Sequence, residues 1–274
     1  AVTTTLLVLR RPDSLWGFLG FHAAGAVILC SVAWVQRKYP RRFWIVLRNW
    51  LPILFVLVFF RELTFLVPEI HSFEDRYFDR LFASWDERLF GDVYGAISRF
   101  WNPVFVEFLY YCYWFYFPMP GILAVLFWIR GKEERYRHFG TIYLTTILLG
   151  YLGYFGFPAV GPQHFEVRPQ ELHGLWAGEW MHLFLRKLER VTPDAFPSLH
   201  TAIGVLVLVY AWRWHKRCFW WTLVPGIGLV LATVLLRYHY VVDVVAGILL
   251  VPISYFVGDR IHRYFYGKTL RDET

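Results

Sequence analysis

Charge is scarce in this chain: 18% of its 274 residues are Asp, Glu, Lys or Arg, where a soluble domain carries about a quarter. Cysteine is scarcer. Cys30, Cys112 and Cys218 form no CxxC pair and lie in or beside apolar runs. That excludes a disulfide framework and a cysteine zinc site, and reads them as packing residues. No internal repeat, low-complexity stretch or Gly/Ser linker divides the chain, so it reads as one domain. The N-terminal AVTTTLLVLRRPDS lacks a positive start and a small-residue cleavage site, and is not read as a signal peptide.

What the chain has instead is apolar surface, with 57% hydrophobic and 21% aromatic residues. The charges sit in islands between apolar runs of roughly 17–25 residues, the length that crosses a hydrocarbon core as helix. Seven spans are expected, near 14–35, 44–67, 103–129, 139–157, 199–214, 218–236 and 240–258. The net charge of +7 is not a nucleic-acid signal, because the basic residues flank apolar runs rather than line one face. The segments 36–48, 130–138 and 213–217 and the tail from 259 carry them. Seven crossings put those four segments on one side, expected to be the cytoplasm by the positive-inside rule. The loops at 68–102, 158–198 and 237–239 then share the outer face.

Residues 72–100 are too charged to span. Tyr77, Phe78, Leu81, Phe82, Trp85, Leu89, Val93 and Ile97 recur at spacings of three and four, with Asp75, Asp79, Asp86 and Glu87 between them. This predicts an amphipathic helix or helix pair lying in the interface, acids to water. It would wall or cover the entrance to an outer-face site, so that its loss would alter lipid selectivity more than turnover of soluble substrates. A shorter one is expected at 179–191. Arg61, Glu62 and Glu107 fall within apolar runs, where a charge costs about 2.5–3.5 kcal/mol at mid-bilayer. All three are read as structural, the first two reaching toward the interface.

Two outer-face segments carry chemistry-bearing residues: Phe196-Pro197-Ser198-Leu199-His200-Thr201-Ala202 and Leu236-Arg237-Tyr238-His239-Tyr240-Val241-Val242-Asp243. His239 and Asp243 are four apart, one helical turn. There the carboxylate would accept one ring N–H, set the tautomer and leave the other nitrogen's lone pair exposed, with the imidazole as nucleophile. The competing reading is a His–Asp pair that only joins two helices. Pro197 suits a helix start, and Ser198 with the N–H groups from Leu199 onward would form an anion site. His200, in that first turn, is placed to protonate a leaving oxygen. An ordinary helix start with an interfacial histidine is the plainer alternative.

With these residues in view, the chain resembles the phosphatidic acid phosphatase type 2 superfamily. The second motif of that family is PSGH and its third SRxxxxxHxxxD. The nearer likeness is to the inositol phosphorylceramide synthase branch, with FPSLH and HYxxDxxxG, which Gly247 completes. Phe157-Pro158-Ala159-Val160-Gly161-Pro162 is similar to that branch's first motif. The likeness covers roughly 150–258. It implies a nucleophilic His239 forming a phosphohistidine, Asp243 orienting it, His200 as acid and then base, and Ser198 with nearby N–H groups in the phosphate cradle. Two departures stand out. Gly161 occupies the first-motif lysine position before the Arg168-Pro169 pair, and Thr233 the third-motif arginine position. The phosphate clamp is therefore expected from Arg237, then Arg168, with Gln163 or His164 adding hydrogen bonds.

The expectation is an all-α integral membrane enzyme. Residues 44–258 form a six-helix core that includes the interfacial helix, 1–43 an additional span and 259–274 a cytoplasmic tail. It would cleave or transfer the phosphate or phospho-head group of a lipid in the plasma (inner) membrane, on the extracytoplasmic side. Water would be the acceptor in a phosphatase, and a polar alcohol or glycolipid in a transferase. No metal or other cofactor is required by this chemistry, since no ligand cluster accompanies His239 and Asp243. A lipid transporter or scaffold is the non-enzyme alternative, opposed by the sparse charge deep in the spans.

Overall fold

The computed structural model describes residues 12–71, 77–98, 101–165, 172, 174–188 and 193–267. The regular structure among these residues is all helix, with no strand, and the protein is an all-α integral membrane protein. In chain order the helices are α1 (Pro12–Lys38), α2 (Arg42–Ile70), α3 (Asp79–Phe90), α4 (Val93–Ser98), α5 (Pro103–Trp114), α6 (Pro118–Ile129), α7 (Glu133–Gly156), α8 (Pro162–Phe165), α9 (Ala177–Leu188), α10 (Leu199–Trp214), α11 (Lys216–Leu235) and α12 (Val241–Tyr266). Four described helices are long and apolar enough to cross a membrane, five if the bent pair α5–α6 is one span.

The chain divides into two compact units, residues 1–73 and 74–274. In the first, α1 and α2 pack as a hairpin. Glu62 meets His22 at 3.2 Å, so this acid is paired within the hairpin rather than simply reaching for the interface. In the second, α10 packs on α11 and α12, α12 on α7, and α11 on α5. Exposed Trp220, Trp221, Val224, Ile248, Leu249 and Ile253 cover its outside. In lipid such a surface is matched to its solvent rather than a liability.

Three expectations change. The run at 103–129 is not one straight helix but two, meeting at 46°. Pro118 opens α6; it has no N–H to give to α5 and forces a break before it. Second, α12 runs on to Tyr266, so residues 259–266 are its last two turns rather than tail, with Asp259 and His262 buried. Third, the predicted interfacial segment is indeed a helix pair, α3 and α4, broken at Gly91 with φ 68°, but α3 is turned the other way. Asp79 and Asp86 are 1% and 8% exposed, while Leu81, Trp85, Leu89 and Phe90 face outward, Leu89 at 68%. Asp75 lies outside the described residues. Cys112 and Cys218 are buried as expected; Cys30 is exposed on α1.

Candidate active site

His239 is not on a helix. It sits in the turn between α11 and α12, two residues before the first residue of α12. Its position is set by backbone bonds. His239 N–H donates to the Thr233 carbonyl at 2.9 Å, and Arg237 N–H to Val234 at 2.9 Å. Arg237 turns the chain with φ 65°, the one non-glycine described residue in the left-handed region. An arginine there costs roughly 1–2 kcal/mol, and strain of this kind gathers at functional sites.

The imidazole of His239 reaches the Ala195 carbonyl through Nδ1 at 2.8 Å. A carbonyl only accepts, so Nδ1 carries the proton and Nε2 bears the lone pair. That Nε2 lies 3.3 Å from His200 Nδ1. Asp243 approaches His239 Nδ1 at only 3.6 Å, beyond hydrogen-bond reach. Its Oδ2 instead accepts the Tyr240 N–H at 2.8 Å, half of a capping box at the start of α12. The expected arrangement, His and Asp one turn apart on a helix face, is therefore not how these groups meet. The carbonyl of Ala195 orients the ring, and Asp243 braces the turn while lending negative charge nearby.

The second histidine comes from α10. Ser198 caps that helix: its Oγ accepts from Thr201 N at 3.3 Å and lies 3.1 Å from Thr201 Oγ1. Ser198 N donates to the Asp243 carbonyl at 3.0 Å, tying the starts of α10 and α12 together. Ser198 is fully buried, with its hydroxyl in the cap. The Leu199 side chain is in the core against Gly150. Close packing also explains Gly247, where a Cβ would come within 2.4 Å of the Ser198 carbonyl.

Aromatic rings surround His200. Tyr113 stacks on it with centroids 4.7 Å apart, Tyr116 lies at 4.3 Å, and Tyr238 stacks on Tyr113 at 4.5 Å. Tyr113 and Tyr116 flank the α5–α6 bend, so the break that the prolines impose is level with the histidines. No spacing rule in the sequence marks these tyrosines, because they lie far from either motif.

The first-motif segment closes the site. Gln163 N–H donates to the Arg237 carbonyl at 2.8 Å, bringing these two expected phosphate ligands side by side. Gly161 has φ 83°, and a Cβ there would stand 2.3 Å from the Tyr238 carbonyl; only glycine allows the approach. The Gln163 Oε1 is buried without a hydrogen-bond partner among the described residues. His164 is exposed. Arg168 lies outside the described residues. Among those described, no three His, Cys, Asp or Glu side chains are arranged to hold a metal ion.

Two acids of α3, read from the sequence as water-facing, hold this loop cluster. Asp79 accepts from Val160 N at 3.0 Å, Gly161 N at 2.9 Å and Tyr240 OH at 3.1 Å. Burial pushes its carboxyl above the usual carboxylate range, and those three hydrogen bonds oppose the shift. Asp86 accepts from Val241 N at 2.7 Å and Val242 N at 2.9 Å. A sequence signal existed: Asp79, Phe82 and Asp86 form one stripe at i, i+3 and i+7, and Leu81, Trp85 and Leu89 another. Which stripe faces inward is undecidable when the surrounding solvent is lipid. Glu107 is structural, as expected. It accepts from Leu175, Ala177 and Gly178 N–H groups at 2.9, 3.0 and 2.8 Å and so caps α9.

A family model described as the PAP2 superfamily matches residues 80–257. The chain belongs to the PAP2 superfamily. It is 27% identical over 165 residues to the phosphoinositol dihydroceramide synthase of Bacteroides thetaiotaomicron, covering 53% of this chain and 52% of that protein. It is 28% identical over 155 residues to the inositol phosphorylceramide synthase of Candida albicans, covering 49% of this chain and 32% of that protein. The chain thus spans about half the length of the first relative and a third of the second. No solved structure is significantly similar. The superfamily and the branch expected from the motifs both agree with these likenesses.

Proposed function

We propose that this PAP2 protein transfers a phospho-alcohol head group from a phospholipid to a second lipid hydroxyl, with a phosphoinositol lipid as donor and a ceramide-like acceptor. The substrate class comes from the two relatives' names. The observation that carries the chemistry is the His239 ring, held by Ala195 through Nδ1 and presenting Nε2 to His200 at 3.3 Å. In the first step Nε2 attacks phosphorus, an N–P bond forms, and the P–O bond to the departing diacylglycerol breaks. His200 gives that oxygen its proton. In the second, His200 takes the proton of the acceptor hydroxyl, whose oxygen attacks phosphorus and breaks the N–P bond. Arg237 and Gln163, joined through their backbones, are the groups assigned to the equatorial oxygens, with an arginine fork suited to two of them.

The positive-inside pattern supports a site on the extracytoplasmic side of the plasma (inner) membrane. The tyrosines against His200 give a lipid hydroxyl an amphipathic wall to approach along. The test is purified protein in phosphatidylinositol vesicles with a fluorescent ceramide and EDTA, comparing wild type with His239→Ala. Phosphoinositol ceramide formed by wild type and not by the variant is the expected result. Free inositol phosphate without a ceramide product would replace the transferase by a phosphatase with water as acceptor. Full activity of the variant would remove His239 as nucleophile.

A further inference from the structure

We propose that Asp86 and Asp79 are positioning residues for the reaction, making α3 the clamp that aims His239; this rests on His239 being the nucleophile. The first-turn N–H groups of a helix have no partner within it. At α12 every one of them that borders His239 is held by a carboxylate. Asp243 takes Tyr240 N–H from within the helix. Asp86 takes Val241 and Val242 N–H groups from another helix, 155 and 156 residues away in sequence. The turn carrying His239 is therefore fixed at its C-terminal side by a residue of α3. The positive end of α12 is also satisfied by protein carboxylates, which leaves phosphate binding to the start of α10 and to Arg237.

Asp79 acts on the other partner of the ring. It fixes Val160 and Gly161. The adjoining Ala159 carbonyl accepts from Ala195 N–H at 2.9 Å, and the Ala195 carbonyl orients His239 Nδ1. Asp79 also receives the hydroxyl of Tyr240, the residue next to His239. The two acids thus hold both the backbone that bears the imidazole and the carbonyl that aims it. Phe82 sits between them, stacked on Phe196 at 4.6 Å and packed with Ala159, Ala195, Tyr240 and Val242. The outward Leu81, Trp85 and Leu89 stripe seats the same helix in the membrane interface. So α3 is part of the reaction geometry itself, and losing its hold lowers turnover of soluble and lipid substrates alike.

Misplacing a reacting group by about 1 Å costs about a hundredfold in rate. Wild type, Asp86→Ala, Asp86→Asn, Asp79→Ala and His239→Ala would be compared as monodisperse protein, with folded fraction from thermal melting. Two readouts are scored per folded molecule. One is the affinity for orthovanadate, a phosphoryl-transfer mimic whose binding needs no knowledge of the lipid. The other is kcat and KM for phosphatidylinositol and ceramide. We expect Asp86→Ala to lose tenfold or more in vanadate affinity and in kcat with KM within about twofold, a change made in the transition state alone. Asp86→Asn, keeping one acceptor oxygen, should recover part of both. Variants that bind vanadate and turn over like wild type, or that lose activity only in proportion to folded protein, overturn the clamp. Vanadate bound equally by His239→Ala, or not bound by wild type, instead sinks the nucleophile reading beneath it.

Discussion

Helix α12 has a carboxylate close to a pair of histidines at each end, and the two ends hold their histidines differently. At its start Asp243 lies near His239 and His200, whose rings are 5.5 Å apart. Near its end Asp259 lies with His138 and His262, whose rings are 4.9 Å apart. At that second end His138 Nε2 meets Asp259 at 3.1 Å and its Nδ1 meets Tyr210 OH at 2.6 Å. His262 Nε2 meets Glu134 at 2.6 Å, and Arg263 also binds Asp259. Both nitrogens of His138 are spent on strong partners, and both rings are fully buried. At the start of α12 one nitrogen of His239 meets a neutral carbonyl, and the other meets the ring of a second histidine at 3.3 Å. A His–carboxylate pair is thus not a catalytic signal by itself. The two ends differ in the partners of the central ring, which are a carboxylate and a tyrosine hydroxyl for His138 and a carbonyl and a histidine for His239.

The largest contrast should come from deleting one histidine at each end. His239→Ala is expected to lower turnover by roughly ten-thousandfold or more, the scale of losing a nucleophile. His138→Ala should leave kcat per folded molecule within about twofold while lowering stability by about 2–4 kcal/mol, through lost packing and two lost hydrogen bonds. Turnover and thermal midpoint of both variants read this directly. Next, His200→Ala should cost about 10²–10⁴-fold in kcat, the range of general acid–base catalysis. A leaving group that needs no protonation, such as p-nitrophenol in a phosphoinositol ester, should recover part of that loss.

A smaller effect separates the two aspartates. Asp243→Asn should lower kcat about ten- to a hundredfold, because Ala195 and not Asp243 holds the ring; a larger loss would show that the 3.6 Å contact tightens when substrate binds. Asp259→Asn should act on stability alone. Smallest are two single-group changes. Arg237→Gly should be about 1 kcal/mol more stable than Arg237→Ala, since glycine adopts φ 65° freely, while both lose phosphate affinity equally. Tyr210→Phe should lower stability by about 1 kcal/mol without changing turnover. Equal melting of the Arg237 variants, or slowed turnover in Tyr210→Phe, would weaken the division between a reactive and an inert end.

Much of the site was legible in the motifs. His200 and His239 meet although they are 39 residues apart, and Gln163 and Arg237 are neighbours through one backbone bond. These follow from residue type and from helix-start chemistry, both of which are local. The inward turn of Asp79 and Asp86 was not legible, because an amphipathic pattern names two stripes and lipid removes the usual penalty for exposing the apolar one. Nor were the Ala195 carbonyl, which has no side-chain signature, and the cluster of His138, Tyr210, Asp259 and His262, drawn from three helices with no shared motif.

By itself the sequence determined that this protein is helical, belongs in a bilayer and carries the FPSLH and HYxxDxxxG motifs, because span length, apolar clustering and motif spacing are properties of short stretches. Tertiary structure alone decided which carbonyl meets His239 Nδ1, that Ser198 is buried in its own cap, and that α3 holds the turn bearing His239. Each of those is a hydrogen bond between segments distant in sequence. Satisfying a buried donor depends on which backbone happens to pack beside it.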